Sequence, residues 1–174
     1  MVVAKKSKEC KSNKDIFYDE DFTRSISNDN KLLKKYEPYI LFSLDKLLNK
    51  EGCRNISFGT EVVWNLDLFE TEYKKSVGVN EKPTVDFCMG LSSKKILLVE
   101  VKAKVTSRKN IKPNEIDNKV KYSREILEYK NIISRTVVIV KNEELIRSTF
   151  RLLYYDQTKY QVITANKFKE NYFK

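Results

Sequence analysis

The chain has 174 residues, 41% hydrophobic and 33% charged, a composition that fits one domain with a substantial core. Its 34 Lys and Arg against 24 Asp and Glu leave a formal charge of +10, which favours an anionic partner, nucleic acid above all. Histidine is absent, and this excludes Ser/His and Cys/His catalysis, histidine-ligated zinc and any hydrolase with a histidine base. Cys10, Cys53 and Cys88 are odd in number and lack paired spacing, so neither a disulfide framework nor a zinc site is expected. No apolar run has the length of a membrane span, and the opening MVVAKKSKECKSNK lacks the apolar segment of a signal peptide. The expectation is an intracellular protein, cytoplasmic or nuclear, without a membrane partner.

Residues 1–14 carry five lysines against one glutamate and read as a flexible basic arm, leaving 15–174 as the folded domain. Asp15 to Thr23 mixes aromatic and acidic residues and reads either as a strap docked on the domain or as part of a partner interface. From Asn30, apolar residues at Leu32, Leu33, Tyr36, Ile40, Leu44, Leu47 and Leu48 recur at helical spacing, with Gly52 as a stop. Pro38 within that run predicts either a kink or a second helix from about Glu37 to Lys50. Ile56 to Leu68 reads as a strand, and the polar stretch Glu70 to Lys82, with Gly78, as a loop.

The next two runs carry residues that strand cores avoid. Thr84 to Met89 is β-favouring but holds Asp86, and after the turn residues Gly90 to Ser93 the aliphatic run Lys95 to Lys102 ends on Glu100, Val101 and Lys102. Alternation puts Glu100 and Lys102 on one face and Val101 on the other. With Asp86 across from them, two carboxylates and an ammonium converge. Two oxygen ligands with the Val101 carbonyl between them suit Mg²⁺, and the lysine can then hold or deprotonate an attacking water. A lone E-x-K is ordinarily an ion pair at a strand end. Three charges inside two adjacent strands make a functional site the sharper reading.

Lys104 to Pro113 is a basic connection, and Asn114 to Asn131 forms an imperfect amphipathic helix that Asn114 could cap. Residues 104–135 hold nine Lys or Arg against four Asp or Glu, so positive charge gathers where a phosphate backbone would lie, with Lys104, Lys119, Lys121 and Arg124 as candidate contacts. Arg135 to Val140 reads as a strand buried on both faces. Asn142 caps a helix to about Leu153, Tyr160 to Thr164 adds an edge strand and Asn166 to Tyr172 a terminal helical turn.

Asp86 followed by Glu100-Val101-Lys102 resembles the PD-(D/E)xK, or restriction-endonuclease-like, nuclease superfamily, with Pro83 standing three residues before the aspartate instead of next to it. The resemblance covers about residues 31–141. It implies a single α/β domain whose mixed central sheet is flanked by helices in an αβββαβ core. It also implies a nuclease using Mg²⁺ or Mn²⁺, with Asp86, Glu100 and the Val101 carbonyl as ligands and Lys102 at the water. A further upstream carboxylate would complete the metal site, either Glu61 or Glu37. Asn118 and Tyr122 resemble the Gln-x-x-x-Tyr element of the RecB-like branch, which adds Tyr122 to the nucleic-acid contacts. DNA is favoured over RNA, and a homodimer is the expected way to cut both strands of a duplex. The alternative is a non-catalytic nucleic-acid-binding or assembly module that retains the fold.

Overall fold

The strand Ile96–Lys102 is buried at every position except its last, and both halves of the sheet form on it. In the computed structural model, which describes residues 16–78, 82–128, 130–153 and 156–174, this strand is β4. The arm expected over 1–14 lies outside the described residues. In chain order the elements are α1 (Glu20–Ser25), α2 (Lys31–Ile40), β1 (Leu41–Ser43), α3 (Leu44–Lys50), β2 (Val62–Asn65), α4 (Leu66–Val77), β3 (Phe87–Gly90) and β4. A short 3₁₀ turn (Arg108–Asn110) then leads to α5 (Pro113–Ile126), β5 (Thr136–Val140), α6 (Glu143–Leu152), β6 (Tyr160–Thr164) and α7 (Ala165–Tyr172). The chain is an α/β domain with a mixed six-stranded sheet in the order β1-β2-β3-β4-β5-β6, flanked by helices.

The four strands β1 to β4 form an antiparallel meander, while β4, β5 and β6 are parallel and need helical crossovers. Both crossovers, α5 and α6, lie over the face that carries Val138, Val140 and Val162. Two parallel connections stepping the same way across a sheet must share a face if each keeps the same hand. The opposite face, with Val99, Val137 and Ile163, is covered by α3 and by Phe168 of α7. Beside α5, the helices α2 and α4 pack Leu33, Tyr36 and Phe69 over Trp64, Cys88 and Leu98.

Local chemistry explains where the elements depart from the sequence reading. The run from Asn30 divides into two helices, the second ending at Lys50 as expected but starting at Leu44 and not near Glu37. The first ends at Ile40, two residues after Pro38, and Leu41–Ser43 pair with Val62–Trp64 before Ser43 caps α3 through the Lys46 amide. The strand expected over Ile56 to Leu68 is only Val62–Asn65, because the Asn65 side chain accepts from the Leu68 amide and starts a helix there. That helix, α4, occupies most of the expected loop and stops at Gly78, which adopts the left-handed conformation (φ 69°). Pro113, not Asn114, opens α5, with Lys112 at the cap position and no side-chain cap.

The stretch after Asp15 does dock on the domain. Tyr18 forms a β-bridge with Leu91, and α1 lies so close to β3 that a Cβ on Gly90 would stand 2.7 Å from the Thr23 amide nitrogen. The Gly90 amide donates to the Thr23 hydroxyl (2.9 Å), and the indole N–H of the wholly buried Trp64 donates to the Thr23 carbonyl (2.6 Å). No helix among the described residues is long and apolar enough to cross a membrane.

Asn30 links two helices at once. Its side-chain oxygen accepts from the Leu33 amide (3.0 Å) and its amide donates to the Ile126 carbonyl at the end of α5 (2.8 Å). Asn30→Ala is expected to lower stability by about 1–2 kcal/mol, read as a lower urea midpoint at unchanged m-value.

Candidate functional site at the end of the central strand

Antiparallel register carries the motif together. Phe87 pairs with Val99, so one step outward Asp86 stands opposite Glu100, with side chains on the same face. That is the face α5 covers. Glu100 is fully buried and Asp86 is 7% exposed, and two like charges placed so need a compensating charge. Two lysines supply it. The Lys102 ammonium lies 2.7 Å from Glu100 Oε1, and Lys119, reaching in from α5, lies 3.0 Å from Oε1 and 3.2 Å from Oε2. Lys119 also lies 3.8 Å from Asp86 Oδ1, so its ammonium stands between the two carboxylates. The second Asp86 oxygen accepts the Val101 amide, which has no strand partner on that side.

The electrostatics follow from burial. Burial and the neighbouring Glu100 charge hold the Asp86 carboxyl well above the usual carboxylate range, with the Lys119 charge and the Val101 amide opposing. For Lys119, burial pulls the other way but is outweighed by the Glu100 and Asp86 charges, which hold the ammonium protonated far above neutral pH. Lys119 is therefore no general base. The cluster is a buried carboxylate pair neutralised by two fixed ammonium groups, each about a fifth exposed (20% for Lys102 and 21% for Lys119).

The upstream carboxylates lie elsewhere. Glu61 precedes β2 at the end opposite to Leu66, whose amide donates to the Asp86 carbonyl. Five residues of near-extended chain separate the two points by roughly 16 Å. Glu37 is taken by Ser27 (2.9 Å) and Lys34 (2.7 Å) on α2. Among the described residues, no group of three or more His, Cys, Asp or Glu could hold a metal ion.

Comparison with family models, curated proteins and solved structures finds no match for this chain. Together with the missing ligand cluster, this overturns the expectation of a Mg²⁺- or Mn²⁺-dependent nuclease. Asp86, Glu100 and Lys102 do converge, but a lysine ammonium takes the cation's place between the carboxylates. Neither Glu61 nor Glu37 joins them, and what Val101 is seen to give the cluster is its amide, donated to Asp86, where its carbonyl was the expected ligand.

The basic residues expected at the nucleic acid divide into three groups. Lys119 is turned into the cluster. Arg124 donates to the Ile133 and Ser134 carbonyls (2.8 and 2.9 Å) and so fixes the approach to β5. Lys104, Lys121 and Tyr122 face outward, Lys104 at 3.7 Å from Glu51.

Three contributors escaped the sequence reading. Ser123 accepts the Val85 amide (2.9 Å) and ties α5 to the segment that carries Asp86. Asp67, in the first turn of α4, adds negative charge felt by both Asp86 and Lys119. Lys82 lies over the Tyr122 ring. For Asp67 the signal was present, since Asn65 is a strong N-cap and begins a helix beside the aspartate.

Lys119→Met is expected to destabilise the fold by about 3 kcal/mol at pH 7, because it strands two buried carboxylates. Without the ammonium, the Asp86 carboxyl loses a charge that opposed its upward shift, so the deficit shrinks as pH falls toward 4; urea unfolding at several pH values measures it.

Asp86→Asn keeps an oxygen for the Val101 amide but removes the titration. In the wild type the unfolded chain releases this proton first, near pH 4, so the Asp86 contribution to stability falls as pH rises from there to the raised folded value. The variant should lack that part of the decline and be at least as stable as wild type at pH 7, by thermal melts across pH 4–8.

Proposed function

We propose that the chain is a non-catalytic nucleic-acid-binding module, built on a frame similar to that of the PD-(D/E)xK nucleases and engaging DNA through the outer face of α5 and its surroundings. The order helix, strand, Asp strand, E-x-K strand, helix, strand supports the likeness of frame. The internally paired carboxylates support binding without cleavage: Glu100 is met by two ammonium groups, and the exposed parts of these can receive phosphates approaching the end of β4.

One observation carries the reading. The half-buried Tyr122 has the ammonium groups of Lys82 and Lys121 over its ring, at 5.5 and 5.9 Å from the centroid. A base that displaces these two exposed ammonium groups from the ring face can stack there and leave them to hold its phosphates at the sides. Tyr122 follows from α5 geometry, because Ser123 beside it is pinned to Val85 and the tyrosine stands beside Lys82. Exposed Lys104 and Lys109 extend the positive surface beyond β4.

Fluorescence anisotropy with single-stranded DNA, duplex DNA and RNA at several salt concentrations tests this. Tyr122→Ala should weaken single-strand binding by about 1–3 kcal/mol, roughly 5- to 150-fold. The double variant Lys82→Gln/Lys121→Gln should flatten the log–log salt dependence by about 0.7 per lost contact. Unchanged affinity and slope in both, or no binding by the wild type, would remove nucleic acid as the partner.

A further inference from the structure

A second site lies at the other end of the parallel strands. The register Val99↔Val137↔Gln161 places Leu97, Arg135 and Gln161 on the α7 face of the sheet, near the strand starts, with Lys95 just before the start of β4 and on the lining of the same cavity. The last turn of α7 hangs over this edge. Between them is a cavity of about 440 Å³, lined by Lys95, Leu97, Arg135, Gln161, Asn171 and Tyr172. That volume lies within the range of small-ligand sites, about 300–1,000 Å³.

The lining is unusual in its charge. Lys95 and Arg135 both line the cavity, and neither side chain has a carboxylate partner among the described residues, whereas many surface lysines do. Burial pushes the Tyr172 hydroxyl above its ordinary range, and the Arg135 charge, on the lining of the same cavity, works against it. The hydroxyl donates to the Gln161 side-chain oxygen (2.8 Å), which leaves the Gln161 amide and the Asn171 side chain free to address a ligand's hydroxyl groups. Leu97 supplies an apolar floor.

We propose that this cavity binds a phosphate monoester carried on a pentose, with the phosphate between Lys95 and Arg135 and the sugar hydroxyls at Gln161 and Asn171. A planar guanidinium beside a mobile ammonium suits a dianion of tetrahedral shape. The sugar phosphate is either a free metabolite or the end of a nucleic-acid strand. The site stands apart from the Glu100 cluster, which lies on the other face near the opposite end of β4, and does not rest on the function proposed above.

Isothermal titration of the full chain with ribose 5-phosphate, inorganic phosphate and ribose is the test. Ribose 5-phosphate should bind and ribose should not, with inorganic phosphate weaker than the ester. Lys95→Gln and Arg135→Gln should each weaken the ester at least tenfold at unchanged melting temperature, and Arg135→Lys should recover part of the loss. No binding by the wild type, or equal binding in both glutamine variants, overturns the proposal. A 5′-phosphorylated oligonucleotide that outbinds its 5′-hydroxyl form, with the difference lost in Arg135→Gln, identifies a strand end as the source; no difference identifies the free sugar phosphate.

Discussion

A carboxylate with no solvent exposure, in the middle of a sheet, dictates much of how this chain is arranged. Glu100 can remain charged there only if its countercharges arrive with good geometry, because an uncompensated buried charge costs several kcal/mol while a surface ion pair contributes about 0–1 kcal/mol. Lys102 comes from the same strand and is always at hand. Lys119 is not: it must be delivered by a helix, and delivering it fixes the rotation and depth of α5 against the sheet. Once α5 is so set, Ser123 meets Val85, Arg124 meets the approach to β5, and Tyr122 is left outward beside Lys82. One electrostatic requirement thus positions the crossover and decides which of its residues remain available to a partner.

The same arrangement distinguishes a covalently attached countercharge from a diffusible one. An ammonium on a packed helix does not exchange with solvent, has no vacant coordination position and stays protonated at neutral pH. The countercharge is therefore permanent, and its contribution is to hold the helix and soften the local field.

Strands β3 to β6 were legible because buried aliphatic runs bounded by turn residues have few other solutions, and the face shared by Glu100 and Lys102 follows from alternation alone. Strand β1 was hidden. Leu41, Phe42 and Ser43 lie between Ile40 and Leu44, two positions of one helical stripe, and only their pairing with β2 turns them into a strand. Helix α4 was obscured by its charge, since Leu66, Phe69 and Tyr73 form a narrow apolar stripe among acids and lysines. The inward turn of Lys119 could not be read either. On a helix rich in lysine, which ammonium points to the core depends on where a carboxylate waits on another element, and that is a tertiary fact.

The packing of α1 gives the chain a built-in optical reporter. Trp64 is its sole tryptophan, fully buried, with its indole N–H held by the Thr23 carbonyl. Its emission should therefore be blue-shifted in the folded protein, and lifting α1 off Gly90 would wet the indole and move that emission to the red while the sheet beneath stayed formed. Detachment of the chain's leading segment and collapse of the core are thus separable by spectroscopy without any label.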